Sequence, residues 1–222
     1  MKKQILAALA LVAVGALFAG SLEAQSKSIG LGVRGGLNLS TVSWTPPPPG
    51  AEINSKTGFH AGLVVALDLH ENFGIEIDGL YTQQGFNAVE PGVDAYLNGA
   101  YIQVPLMAKG KLPVGSSVVV RVMGGPAVEF EMGCTVSGTQ GGVEASFDCD
   151  DPIVAVERTK TLWSLMFGGG LGINAGPATV FLDVLYDWGL TNLALNPDPN
   201  ESVKSRTWMF SAGFTYPVAM FN

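Results

Sequence analysis

The chain has 222 residues and a formal net charge of -7, with 47% hydrophobic and only 14% charged residues. The acid excess excludes nucleic acid as a partner, which calls for a basic stripe. The shortage of charge argues against a water-exposed surface, since charged residues usually make up about a quarter of a soluble domain.

Lys2 and Lys3 precede the apolar run ILAALALVAVGALFAG, and small residues follow up to Ala24. A basic start, a short apolar stretch and a small-residue exit predict a secretory signal peptide over 1–24. The rest, 25–222, reads as one domain. No later run approaches the roughly 18 apolar residues that a spanning helix requires, so any membrane passage has to be made by strands.

The segments that follow alternate in polarity, the period of a β-strand. In 29–40, Ile29, Leu31, Val33, Leu37 and Leu39 share one face, while Arg34 and Asn38 share the other with glycines. A loop with four prolines follows, preceded by Trp44; proline cannot donate to a ladder. In 57–70, Phe59 to Leu69 oppose His60, Gly62, Asp68 and His70. In 74–83, Ile75, Ile77 and Tyr81 oppose Glu76, Asp78 and Thr82.

After a longer loop over 87–99, segment 100–110 sets Ile102, Val104 and Leu106 against Tyr101, Gln103, Pro105, Met107 and Lys109. Segment 117–131 sets its valines against Arg121. Gly124-Gly125-Pro126 predicts a bulge, after which Val128 and Phe130 oppose Glu129 and Glu131. Cys134 and Cys149 lie in the longest loop, which ends near Arg158. In an exported chain they predict a local disulfide. Asp148, Asp150 and Asp151 beside them lack the spacing of a calcium loop.

Segment 159–174 opposes Trp163, Leu165 and Phe167 to Lys160, Ser164 and glycines. Segment 179–190 opposes Val180, Leu182, Val184, Tyr186 and Trp188 to Asp183 and Asp187. Segment 205–218 aligns Trp208, Phe210, Phe214 and Tyr216.

Eight strands result, with long and short connections in turn. That regularity, with long loops on one side, is the plan of an outer-membrane barrel. The predicted fold is all-β: a closed antiparallel eight-stranded transmembrane β-barrel in the outer membrane of a Gram-negative bacterium. Its polarity is inverted, with the apolar face in lipid and the glycine-rich polar face filling a narrow lumen. A cation facing lipid at the midplane would cost roughly 2–4 kcal/mol, whereas in the lumen it pairs with acids. The expected lumen charge network is Arg34, Glu76, Asp78, Lys109, Arg121, Glu129, Asp183 and Asp187. Tyr81, Trp163, Tyr186, Trp188, Trp208 and Tyr216 fit interfacial girdles.

Three motifs carry a resemblance. In YIQVPLMAKGKL, Tyr101, Pro105 and Lys109 match the Y-φ-E-φ-P-φ-φ-φ-K element of the PorT-like outer-membrane β-barrel family, with Gln103 where glutamate is usual. GVRGGLNLS resembles that family's opening, and YDWGLTNL the end of its penultimate strand. The resemblance implies a non-enzymatic envelope protein linked to surface structure, adhesion or assisted secretion.

The expected partners are outer-membrane lipid and an extracellular or envelope protein reached through the loops, with Trp44 as a loop-binding candidate. A monomer without cofactor or metal is expected. Two alternatives stand beside this reading. One is a lipid-modifying enzyme using His60 with Ser40 or Asp187. The other is a narrow channel.

Overall fold

The computed structural model describes residues 27–47, 49–90, 93–140, 143–153 and 156–221; the signal peptide read over 1–24 lies outside them. Nine strands follow one another: β1 (Lys27–Thr45), β2 (Glu52–His70), β3 (Phe73–Glu90), β4 (Val93–Val114), β5 (Val118–Gln140), β6 (Val143–Asp148), β7 (Thr161–Ala175), β8 (Ala178–Gly189) and β9 (Ser202–Phe221). Each of β1 to β5 pairs antiparallel with the next, β5 pairs with β7, and β9 returns to β1. Eight strands therefore close a ring. The short β6 stands outside it, paired with β5.

The closed ring answers the demand of hydrocarbon that every backbone donor and acceptor be paired within the protein. The faces are inverted as the alternation predicts. Leu31, Leu63, Leu106, Leu171, Leu182 and Phe214 lie on the outside and are each more than 40% exposed. Arg34, Glu76, Asp78, Arg121, Glu129, Asp183 and Asp187 are each less than 5% exposed. A patch of that size would be untenable in water, where exposed apolar patches rarely exceed a few hundred Å².

Aromatic side chains group near one rim. Tyr186 packs on Trp208 at 4.7 Å and on Phe167 at 5.6 Å, and Phe59 packs on Tyr81 at 5.7 Å. Arg206 lies 5.7 Å over the Trp188 ring and donates to the Gly189 carbonyl, so its charge is held at the rim of the barrel.

Three expectations about the strands need correction. The segments read as long loops over 41–56 and 87–99 are largely strand: β1 runs to Thr45, β2 begins at Glu52, and β3 and β4 leave a gap of two residues. Polar and glycine residues end the apolar alternation there, but cross-strand pairing continues into water. The longest loop likewise contains β6, and Cys134 lies in β5.

Gly124-Gly125-Pro126 is not a bulge. Its pairing with β7 is continuous, and the shift in β5 falls where Ala100 pairs with Gly133 but Tyr101 with Glu131. Met132 is the extra residue. Pro126 faces outward in an unbroken strand, as the unchanged parity from Arg121 to Glu129 requires. Finally, Lys160 precedes β7 and is exposed, not lumenal.

Candidate functional site

The lumen is filled in layers whose order can be read along single strands. On β3 the inward residues run Glu76, Asp78, Leu80, Thr82 and Gln84; on β8 they run Asp183, Leu185 and Asp187. A charged layer is thus followed by an apolar one and then by a second polar one.

Arg34 organises the charged layer. It donates to Asp78 at 2.7 Å, to Glu76 at 2.7 Å and to Asp183 at 3.0 Å. Arg121 pairs with Glu76 at 3.0 Å and Asp183 at 3.6 Å, and Lys109 with Glu76 at 3.3 Å. Three cations therefore face three carboxylates. Phe181 closes the layer, with Arg121 at 4.1 Å and Arg34 at 5.2 Å from its ring centre. Toward the short-turn end, Asp68 bridges Lys109 and Lys111 at 3.4 and 3.0 Å.

Above this lies a cluster absent from the sequence expectation: Leu80, Met107, Met123, Met166, Leu185 and Met209, all buried. The signal was present, because Met107, Met123, Met166 and Met209 all fall at inward positions of the alternation. Unbranched, flexible methionine fills irregular gaps, and here four of them seal the lumen between its polar layers.

Glu129 and Asp187 lie beyond this seal, and the structure separates them from the cation network expected to hold them. Gln103 donates to Glu129 at 3.0 Å and also to Asp187, while Gln84 donates to Glu129 at 3.2 Å. Neither carboxyl pairs with a cation among the described residues. Glutamine at position 103, where the resembling family has glutamate, supplies the amide donor that both carboxyls share.

His60 meets neither Ser40 nor Asp187. Its Nδ1 donates to Asn38 Oδ1 at 2.7 Å, and its Nε2 accepts from Ser211 at 2.9 Å. Asn38 is fixed in turn by donating to Thr82 at 2.8 Å and the Gln83 carbonyl at 2.9 Å. Ser40 is instead bonded by Thr207 at 3.1 Å. Register explains the outcome: His60 on β2 and Ser211 on β9 are both paired with Gly36 of β1, which lies between them, and Asn38 is two residues farther along β1 on the same face.

A hydroxyl, a base and a group orienting the base are the parts of an activated nucleophile. Ser211 is nevertheless 5% exposed. The constellation is therefore a nucleophile and base geometry buried in the lumen wall.

His60→Ala is expected to leave Asn38 Oδ1 and Ser211 without a partner. The cost is about 1–3 kcal/mol for a buried polar group left unsatisfied. Urea titration of folded protein in lipid would show it as a lower midpoint, with the folded form retained.

The outer mouth is stitched together. Cys134 and Cys149 form a disulfide with a Cα separation of 5.3 Å. Arg158 grips Glu131 through two bonds of 2.6 and 2.8 Å and reaches Asp150 at 3.0 Å. Bonds from Lys160 and Arg158 hold the exposed Asp150 carboxyl below the usual carboxylate range. Bonding to Glu131 and Asp150 raises Arg158 above its ordinary value despite partial burial. Because the Asp150 value is depressed, this clamp is intact above the ordinary carboxylate range and loosens as pH falls through the depressed one. Asp150 is thereby committed to protein cations. Across the mouth, Asn192 donates to the Glu201 carbonyl at 3.0 Å and accepts from the Val203 N–H at 3.0 Å.

Trp44 does not project from a loop. It is the penultimate residue of β1, stands edge-on to Phe86 with ring centres 6.3 Å apart, and lines a cleft of about 180 Å³ over the outer end of the lumen.

A closed, lipid-facing barrel with ion-paired contents defines an integral protein of the outer membrane of Gram-negative bacteria. Residues 23–195 match the family model described as outer membrane protein beta-barrel domain, and the chain belongs to that family. Strand β9 lies past the match, yet its pairs with β1 and β8 complete the ring. Among solved structures, the chain is similar to Neisserial surface protein A at 13% identity, over 86% of this chain and 98% of that one, with a TM-score of 0.49. It is also similar to the outer membrane protein OprG of Pseudomonas aeruginosa, at 13% identity, over 86% and 97%, with a TM-score of 0.46. A third is the attachment invasion locus protein Ail of Yersinia pestis, at 18% identity, over 85% and 99%, with a TM-score of 0.41. No curated protein matches the sequence.

Proposed function

We propose that the chain is a non-enzymatic, monomeric outer-membrane barrel with a closed lumen, which serves the envelope through its long-loop end in a structural, adhesive or secretion-assisting role. The motif at Tyr101, Pro105 and Lys109 supports a place near the PorT-like barrels, whose roles are of this kind. The observation that carries the reading is the contrast between the two ends of the polar interior. The lumen is spent on internal ion pairs and a methionine seal, while the long-loop end is braced by a disulfide, a two-pronged arginine pair and an apolar cleft. An eight-stranded barrel is just wide enough for side chains to fill, and here buried inward side chains occupy it.

The test replaces loop tips 46–50 and 195–200 by glycine and serine and returns the variant to a strain lacking the protein. Failure to restore the envelope phenotype of that strain, with the barrel folded, supports the reading. Full restoration overturns it. Planar-bilayer recordings on the unaltered protein are expected to be silent, and steady unitary currents would favour a narrow channel.

The Ser211–His60–Asn38 geometry favours one second reading, a lipid-modifying hydrolase. A fluorophosphonate that labels Ser211 in folded protein would establish it. Absence of label and unchanged outer-membrane lipids in the His60→Ala strain would dismiss it.

A further inference from the structure

We infer that the cleft beneath Trp44 is a binding site for a small organic cation with an apolar body, of the quaternary-ammonium or aromatic-amine class. The inference deepens the proposed role of the long-loop end and rests on it, in that the cleft must face the outside.

The walls supply the apolar part. Trp44 and Phe86 meet at an interplanar angle of 88°, and Tyr101, Leu193 and Val203 continue the surface. The volume, about 180 Å³, is that of a single-ring guest, since a cavity of about 150 Å³ already holds benzene.

Charge selects the guest. Glu131, Glu157 and Glu201 line the cleft, and Arg158 is the one cation lining it among the described residues. Arg158 is already engaged by Glu131 and Asp150. The lining therefore carries two uncompensated negative charges, three carboxylates against one guanidinium. An anionic guest is repelled, and a neutral one gains only apolar burial. A cation gains both the carboxylates and the ring faces, the combination by which aromatic sites recognise quaternary ammonium groups.

The walls are also fixed before any guest arrives. Trp44 and Val203 are directly paired across β1 and β9, and the Leu193 N–H donates to the Val203 carbonyl at 2.8 Å. A preformed site spends less of its interaction on ordering side chains.

The experiment is calorimetric titration of the full protein in nanodiscs of zwitterionic lipid with phenyltrimethylammonium. The neutral isostere tert-butylbenzene and the anion benzoate are run in parallel. Saturable binding of the cation is expected, about tenfold tighter than the isostere, with no binding of benzoate. Trp44→Ala should abolish it. Glu201→Gln, at a half-buried rim position that leaves the walls in place, should weaken the cation about threefold and leave the isostere unchanged.

Absence of saturable binding to folded protein overturns the inference. So does binding of the isostere as tight as that of the cation, or cation binding that survives Trp44→Ala. These failures are separable from failure of the envelope role. The loop-tip variant leaves the named cleft walls intact, so a silent titration beside a loop-dependent phenotype removes this site alone.

Discussion

Arg34→Met is expected to destabilise the barrel by about 3–5 kcal/mol, the usual cost of removing one partner from a buried ion pair. Arg34 is 2% exposed and contacts three carboxylates, so its loss leaves Glu76, Asp78 and Asp183 with Arg121 and Lys109 alone. Asp78 suffers most, because Arg34 is its sole ion-pair partner among the described residues. Urea titration in lipid, followed by heat-modifiable gel mobility, would report the change.

Two companion variants distinguish this cause from simple loss of volume. Arg34→Lys keeps a charge but not the planar fork that reaches three acceptors, and it should fall between the two. Arg34→Met combined with Asp78→Asn should recover part of the loss, because it restores neutrality to the layer. An unchanged midpoint for Arg34→Met would mean that the layer does not depend on this guanidinium.

Gly36→Leu is expected to prevent folding altogether. A Cβ at this position would overlap the Phe210 carbonyl oxygen of β9 and come within 2.9 Å of the His60 ring. An overpacked core ordinarily costs about 1–3 kcal/mol because side chains move aside. Here the obstacle is the backbone of a paired strand, which cannot move without opening the β1–β9 seam. No heat-modifiable band should appear after refolding.

Gly35→Ala is the control. Its Cβ would meet nothing closer than the His60 carbonyl at 3.5 Å, and the alanine variant should fold normally. If Gly36→Leu folded equally well, the close approach of β1 and β9 would not be a requirement of the lumen.

The architecture was legible because alternation with a sparse polar face leaves one solution for a chain with so little charge. Leu31, Leu63 and Leu182 outside, and Arg34, Glu76 and Asp183 inside, follow from parity alone. What parity cannot supply is depth along the axis or contact across the lumen. Asp183 and Asp187 share a face of β8 and looked equivalent, yet Leu185 between them belongs to the apolar seal, and only Asp183 reaches an arginine.

His60 illustrates the same limit. Its face was predictable, but its partners were decided by strand order and register, which brought Ser211 from the far end of the chain to β1. Strand ends were the least legible feature, because hydrogen-bonded pairing outlasts the greasy alternation that signals a strand.

That persistence of pairing has an immunological consequence. Strands β4 and β5 have 22 and 23 residues, whereas about 9–11 tilted residues cross the hydrocarbon. Roughly half of this hairpin must therefore rise past the lipid headgroups as a ladder, joined by β6 and pinned by Cys134–Cys149. An antibody or phage reaching the cell would meet a shaped turret and recognise residues brought together by pairing. Sera raised against linear peptides cut from this hairpin should therefore bind intact cells poorly, while sera raised against refolded barrel bind well.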